Sequence, residues 1–366
     1  MSYEWHAKFR LGIRPWAETE ARIRRELERK KEKVTRRKID NRGKQELIPI
    51  VRQSGNFAPV RDLYSRFSLL SQTVGEPDGD DGKQNTWNTL AKTVYVEALI
   101  NRRQYDAYIE EMNSYLHDLA FDTPALTEGD LARLPPFSFF LYVPFTLASP
   151  YLSKDDEPFY VHENPVRKEH ILRVPLISGT SWKGAFRAAL RYRLEAGDDD
   201  PRIIRLLGNP KGAEKDFRRG RLSFFPTFFD ALEVEVINPH SRETCAGTQP
   251  IHIEAVPPGA HGVFALLYVP AVAPPTAGRS DWSTVIDDVL IVLKTTYTLL
   301  VELGFGAKTS AGMGRAAITI PQASGGQGYL LLPIGEGRAP ARLPVGSLKE
   351  LVGISQYIEK QRGGPR

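Results

Sequence analysis

From Trp16 to Lys38 the chain is free of Gly and Pro and crowded with Glu, Arg and Lys, a pattern that predicts a charged, exposed helix. Thr86 to Leu119 reads as a second helical region, and "GEPDGDDGKQN" between the two as a flexible loop. "LTEGDLARL" adds a short helix before the paired prolines Pro135 and Pro136. Residues 1–135 are therefore expected to form a mainly helical, charged N-terminal region.

Beyond those prolines the apolar positions run together, as they do in buried strands. "FSFFLYVPFTL" is aromatic and β-branched, with Pro144 pointing to a bulge or a sheet edge. Trp182, Ala185, Phe186, Ala189, Leu190 and Leu194 then recur at helical spacing and predict a helix over Ser181 to Glu195, with Ser178, Thr180 and Ser181 as capping candidates. "RLSFFPTFFDALEVEVI" and "GVFALLYVPAV" supply two further strands, Ser283 to Leu303 a second helix ended by Gly304, and "RAAITI" a last strand. Strand, helix, strand, strand, helix, strand is the split βαβ order, so the expected class is α+β, with a ferredoxin-like (RRM-like) βαββαβ domain over residues 136–322. A tail over 323–366 carries the apolar segment "YLLLPI" and a helix from Ser347 to Lys360.

Composition narrows this picture. The 366 residues suffice for two domains, since one core stops growing at roughly 250–300 residues. Hydrophobic residues at 41% and charged residues at 25% fit a folded, water-exposed protein rather than a disordered or membrane-embedded one. The single cysteine, Cys245, excludes an internal disulfide and a cysteine metal cluster, and fits a reducing cytoplasm. Neither an exported leader nor a membrane span of about 18 apolar residues is expected.

Charge changes the picture more than its net value of +5 suggests. Between Arg22 and Lys44 stand twelve Lys or Arg against four Asp or Glu, which marks either a solvated helix or an arm for an anionic partner such as nucleic acid. Lys183, Arg187 and Arg191, spaced four apart, line one side of the predicted helix over Ser181 to Glu195. At its start "SGTSWKG" offers small residues and free backbone N–H groups beside Lys183, the way helix N-termini bind phosphate. Ser178, Gly179, Thr180, Ser181 and Gly184 belong to that candidate site. "GFGAKTSAGMGR" is the second candidate: Gly304, Gly306, Gly312 and Gly314 leave room for an anion, Thr309 and Ser310 add hydroxyls, and Lys308 and Arg315 add charge. It is no Walker loop, because its spacing is wrong and it leads from a helix into a strand. Two such elements in one unit could grip a phosphodiester chain at two points.

"VPLISGTSWKGAFRAALR", "LLG", "GRLSFF" and "GFGAKTSAGMGR", in that order over about residues 137–320, resemble the RAMP superfamily of CRISPR-associated proteins. The resemblance implies a subunit of a type III effector complex, backbone-like or distal-cap-like, whose partners are guide RNA (crRNA), target RNA and other effector subunits, with no membrane. Residues 1–135 lie outside it. The stretch from "VEVINPHSRETC" to "EAVPPGAHGVF" resembles a thumb-like insertion, near residues 235–257, that wedges guide and target strands apart. Asn238, Arg242, Thr244 and Ala246 fall on its matching positions, and Arg242 and Thr244 join the RNA-binding candidates.

The resemblance also implies a cleavage position. Family subunits that cut target RNA carry an aspartate about twenty residues before the Lys-Gly turn, and here Glu163 stands there, beside His162. One extra methylene displaces a carboxylate by about 1 Å, a shift that can cost around a hundredfold. Asp155 and Asp156 are alternatives. Binding requires no cofactor; cleavage would use Mg²⁺ held by such carboxylates. Against this stands a metal-free endoribonuclease that processes precursor guide RNA with His162 or His170 as acid or base, or a protein-interaction subunit without RNA contact. No His-Glu-x-x-His or Cys-x-x-Cys spacing points to zinc.

Overall fold

The computed structural model describes residues 16–61, 63–72, 86–100, 103–155, 161, 164–209, 218–238, 250–270, 282–320, 327–333 and 340–363. The expected loop "GEPDGDDGKQN" lies outside them. In chain order the helices are α1 (Trp16–Arg29), α2 (Arg36–Val51), α3 (Leu63–Gln72), α4 (Thr86–Val94), α5 (Gln104–Asp118), α6 (Glu128–Ala132), α7 (Gly179–Leu194), α8 (Pro201–Leu207), α9 (Trp282–Tyr297) and α10 (Leu348–Gly363). The strands are β1 (Phe139–Thr146), β2 (Leu176–Ile177), β3 (Leu222–Phe224), β4 (Thr227–Phe228), β5 (Glu233–Ile237), β6 (Ile251–Ala255), β7 (His261–Tyr268), β8 (Gly328–Leu332) and β9 (Ala341–Val345). The chain divides into two compact units: Met1–Tyr108 with Asp155–Pro165 and Leu232–Glu254, and Ile109–Lys154 with Val166–Ala231 and Ala255–Arg366.

The first unit is helical, with β5 and β6 as a two-stranded sheet. The helix expected over Trp16 to Lys38 is broken in two. Lys31 takes a left-handed conformation (φ 54°) after α1, and Thr35 caps α2 by accepting from the Lys38 amide at 3.4 Å. α2 then runs through Gly43 and Pro49. Gly43 is needed there because a Cβ would stand 2.7 Å from Leu90 Cδ1 and 2.8 Å from the Trp16 ring, so the glycine lets the helices close. Much of the basic block is consumed by internal ion pairs: Arg22 with Glu26 and Glu46, Arg24 with Glu20, Arg36 with Asp40, Lys38 with Glu32, and Lys44 with Glu97. Inside the unit the Tyr95 hydroxyl donates to the Glu254 carboxylate at 2.7 Å, and both residues are buried.

The second unit is built on a five-stranded antiparallel sheet, order β3-β7-β1-β8-β9. β1 is central in it, neither bulged nor at an edge, and Pro144 is accommodated for a local reason. β8 pairs only with Phe140 to Tyr142, so the missing proline N–H falls beyond that ladder, while on the other side Pro144 faces Val263 of β7. "RLSFFPTFFDALEVEVI" is not one strand but three, because Pro226 interrupts it and the chain turns again before β5.

"RAAITI" does not form the last strand. Ala316 makes an isolated bridge to Leu147, its amide donates to the Leu300 carbonyl at 2.8 Å, and the Ala317 amide donates to Thr146 at 2.8 Å. The preceding loop thus ties this segment across the end of β1, and the place beside β1 goes to β8. α7 packs against α9, and buried Phe186, Ala189, Leu190, Val289 and Leu293 contribute to the core. The opposite sheet face carries Phe140, Tyr142, Ala265, Tyr329 and Leu331 in one cluster with Leu131 of α6 and with Leu126 and Leu134. Thr123 donates to the Pro226 carbonyl at 2.6 Å and Tyr329 to the Leu126 carbonyl at 2.9 Å, pinning that strap down. No helix among the described residues is long and apolar enough to cross a membrane.

Candidate nucleic-acid interface

The first candidate loop is built as a capped helix start. Ser178 is the N-cap of α7, its hydroxyl accepting from the Ser181 amide at 3.2 Å and lying 2.9 Å from the hydroxyls of both Thr180 and Ser181. The amides of Gly179 and Thr180, first in the helix, have no intrahelical acceptor. Gly179 has a second duty: a Cβ there would meet the Phe224 carbonyl oxygen at 2.3 Å, so the glycine seats α7 on β3. Gly184 is open, with nothing within 4 Å of a built Cβ. Trp182, fully buried, donates its indole N–H to Thr227 Oγ1 at 2.9 Å, and Thr227 in turn donates to the Val263 carbonyl.

The expected stripe of three cations separates into two kinds. Arg187 donates to Asp198 (3.3 Å) and to the carbonyls of Leu207 (3.4 Å) and Gly208 (3.1 Å), so it holds the end of α8; Arg191 also donates to Asp198 (3.3 Å). Lys183, half-buried, has no carboxylate partner among the described residues. Burial, with the nearby Arg187 charge adding to it, pulls its ammonium below the ordinary lysine value.

The glycine-rich loop is a knot of backbone hydrogen bonds rather than an open nest. Phe305 donates to Gly314 (2.9 Å), Ala307 to Leu152 (2.8 Å), Gly314 to Pro150 (2.8 Å), and the Arg315 amide to Ser149 Oγ (2.9 Å). Gly314 cannot be replaced without strain: its φ is 68° and a Cβ would stand 1.9 Å from the Phe305 carbonyl oxygen. The amides of Gly306, Lys308, Thr309 and Ser310 have no acceptor among the described residues, and they sit at the head of the loop. Gly306, Lys308, Ser310 and Arg315 are exposed and Thr309 is half-buried. Ser149, which anchors the loop from the end of β1, is absent from the sequence-based set; its only signal is a Ser-Pro pair just after a strand.

The two loops meet. Trp182 and Phe305, both buried, have ring centroids 4.7 Å apart, and Phe145 sits beneath them at 6.3 Å and 5.6 Å. Of the remaining candidates, Asp156, His162, Glu163, Arg242, Thr244 and Ala246 lie outside the described residues. Asp155 is half-buried, its amide donating to the Pro165 carbonyl at 3.1 Å, and Asn238 is exposed at the end of β5. His170 is exposed in a turn organised by Glu169, whose carboxylate accepts from the amides of Ile171 (2.7 Å) and Leu172 (2.6 Å). No group of three or more His, Cys, Asp or Glu among the described residues could hold a metal ion.

A buried network was invisible to sequence reading. Asp288, fully buried on α9, accepts from Arg205 (2.7 and 3.0 Å), Arg221 (3.3 Å) and the Tyr268 hydroxyl (2.8 Å), joining α8, the start of β3, β7 and α9. Burial, then the Asp288 charge, pushes the Tyr268 phenol well above its ordinary value. Tyr268 and Asp288 stand on different elements and share no spacing that would announce the pair.

An antiparallel α+β unit with two basic, glycine-bearing loops touching at one end is the class of protein defined so far. The RAMP superfamily model matches residues 118–317, more than half of the chain, and the chain belongs to that superfamily. It is similar to a chain in a cryo-EM structure of the type III-B Cmr-beta bound to cognate target RNA, with 15% identity and a TM-score of 0.43 over 74% of this chain and 95% of that one. A chain of the type III-B Cmr-beta in the apo state is similar at 10% identity, TM-score 0.36, over 49% and 95%. A chain of a type IV-B CRISPR complex is similar at 14% identity, TM-score 0.34, over 51% and 92%. No curated protein matches the chain.

Proposed function

We propose that this chain is a guide-RNA-binding subunit of a type III CRISPR ribonucleoprotein, gripping the guide's sugar–phosphate backbone with the start of α7 and the glycine-rich loop together. The observation that carries this reading is the contact of Trp182 with Phe305, which sets the unpaired amides of both loops and the cations Lys183, Lys308 and Arg315 on neighbouring parts of one unit. RAMP membership supports the same assignment. Contacts of this kind hold phosphate and ribose without reading bases, as a subunit serving any guide sequence requires. On this proposal the second unit is a ferredoxin-like core in which β8 takes the place of the fourth strand, with other effector subunits as its partners. Target cleavage is an extension of this reading, in which Glu163, with Asp155, Asp156 or His162, would position Mg²⁺; of these only Asp155 is among the described residues, so no step is routed through the ion.

The test is guide-RNA binding by the full chain over a salt series. The double variant K183A/K308A should bind about tenfold or more weakly at moderate salt, and each lost phosphate contact should lower the slope of log affinity against log salt by about 1. Affinity and slope equal to those of the parent protein would overturn the assignment.

A further inference from the structure

A cleft of about 550 Å³ opens near the C-terminal end of α7, between that helix, α8, α9 and α10. Its volume lies within the roughly 300–1,000 Å³ usual for small-molecule sites. α7 has 16 residues, so its two ends stand about 24 Å apart, and the cleft is remote from the phosphate-facing loops.

Three guanidinium groups line it, each tied along one edge and without an acceptor along the other among the described residues. Arg205 binds the buried Asp288 through Nε (3.0 Å) and Nη2 (2.7 Å), leaving Nη1 without an acceptor among the described residues. Arg202 binds Asp200 through Nε (3.0 Å) and Nη2 (2.7 Å), again leaving Nη1, and Arg193 binds Thr298 Oγ1 through Nη1 at 3.1 Å, leaving Nε and Nη2. Fixed guanidinium groups with free donors are pre-organised for phosphate. Lys294, paired to Glu359 at 2.5 Å, adds a fourth cation. Leu290 and Ile291 make an apolar wall, and Asp287 and Glu359 supply carboxylates that accept hydrogen bonds.

We infer that this cleft binds a nucleoside phosphate, with phosphate on the arginines, the base against Leu290 and Ile291, and ribose hydroxyls or base amino groups on Asp287 or Glu359. The two carboxylates disfavour an acidic peptide, whose own carboxylates they would repel.

The test is calorimetric titration of the full chain with ATP, with adenosine and with inorganic phosphate. ATP should bind saturably, and phosphate and adenosine at least about tenfold more weakly. R193Q and K294Q, both away from the buried Asp288, should each weaken ATP about tenfold or more. Circular dichroism checks that both remain folded, and if one does not, the other decides. Three results would each overturn the inference: no saturable ATP binding up to millimolar concentration, parental affinity in the folded variants, or inorganic phosphate binding as tightly as ATP. Displacement of ATP by guide RNA in the parent protein but not in K183A/K308A would also overturn it, by showing that the nucleotide had occupied the guide surface.

Discussion

Trp182, near the start of α7, lies with its ring centroid 4.7 Å from that of Phe305 in the glycine-rich loop, and neither ring reaches solvent. Two surface loops distant in sequence are thus positioned by one aromatic contact beneath them. Phe305→Ala should cost about 3–5 kcal/mol in urea unfolding, the usual range for deleting a buried ring. It should also weaken guide RNA under conditions where the fold is intact, although Phe305 touches no solvent. Parental guide affinity in a folded F305A protein would mean that each loop holds RNA independently.

Two glycines of the same helix should respond in opposite ways. Gly179→Ala drives a methyl against the Phe224 carbonyl oxygen, 2.3 Å away, and should lower the melting temperature by several degrees. Gly184 lies inside α7 with open space where a Cβ would go, so Gly184→Ala should stabilise the free protein by about 0.5–1 kcal/mol. If guide phosphate approaches this face of the helix, the same alanine should weaken guide binding while raising the melting temperature. Measuring both on one preparation separates close packing from ligand clearance.

Much of this was legible in the sequence, and the failures have physical causes. α7 followed from apolar spacing, because helix periodicity is local, but it begins at Gly179 rather than Ser181, and of the three capping candidates Ser178 takes the N-cap while Thr180 and Ser181 lie inside the first turn. "RAAITI" was misread because its strand character is overridden by the Ala316 bond to Leu300 and by β8, which arrives from beyond Gln322 to claim the sheet position. The glycine-rich loop reads in sequence as an open anion nest, yet eight of its twelve amides are already bonded, some to acceptors such as Pro150 and Leu152 that no spacing rule connects to it. The cation stripe of α7 was read as uniform because Asp198 and the carbonyls of Leu207 and Gly208 reach Arg187 only after the chain has turned back.

Asp200 offers a test by pH. Its side chain caps α8 by accepting from the Arg202 amide, and the hydrogen bonds from the Arg202 guanidinium, with those from the Arg202 and Ile203 backbone amides, hold its carboxyl down at about 2. A carboxyl depressed in the folded state contributes stability that is complete above its unfolded value, near about 4, and is lost as pH falls through about 2. Asp200→Asn keeps an oxygen for the cap but no charge, so it should flatten the stability loss between about pH 4 and 2. Asp200→Ala should in addition lower stability at neutral pH by about 1 kcal/mol. An acid limb as steep in D200N as in the parent would show that other carboxylates dominate it.

Lys183 and Arg187 stand one helical turn apart on α7 but differ in their partners. Arg187 donates to Asp198 and to two carbonyls, so Arg187→Met should cost about 1–3 kcal/mol in unfolding and leave the guide affinity of the folded protein within about twofold. Lys183 has no carboxylate partner among the described residues, and burial together with Arg187 lowers its pKa. Between that lowered value and about 10.4 the unfolded chain binds more protons than the folded one, so the stability of the free protein should rise with pH through that window. Lys183→Met should remove this rise, leave the free protein as stable or more stable at neutral pH, and weaken guide binding. A loss of stability in K183M, or an unchanged guide affinity, would mean that Lys183 packs the helix and does not wait for phosphate.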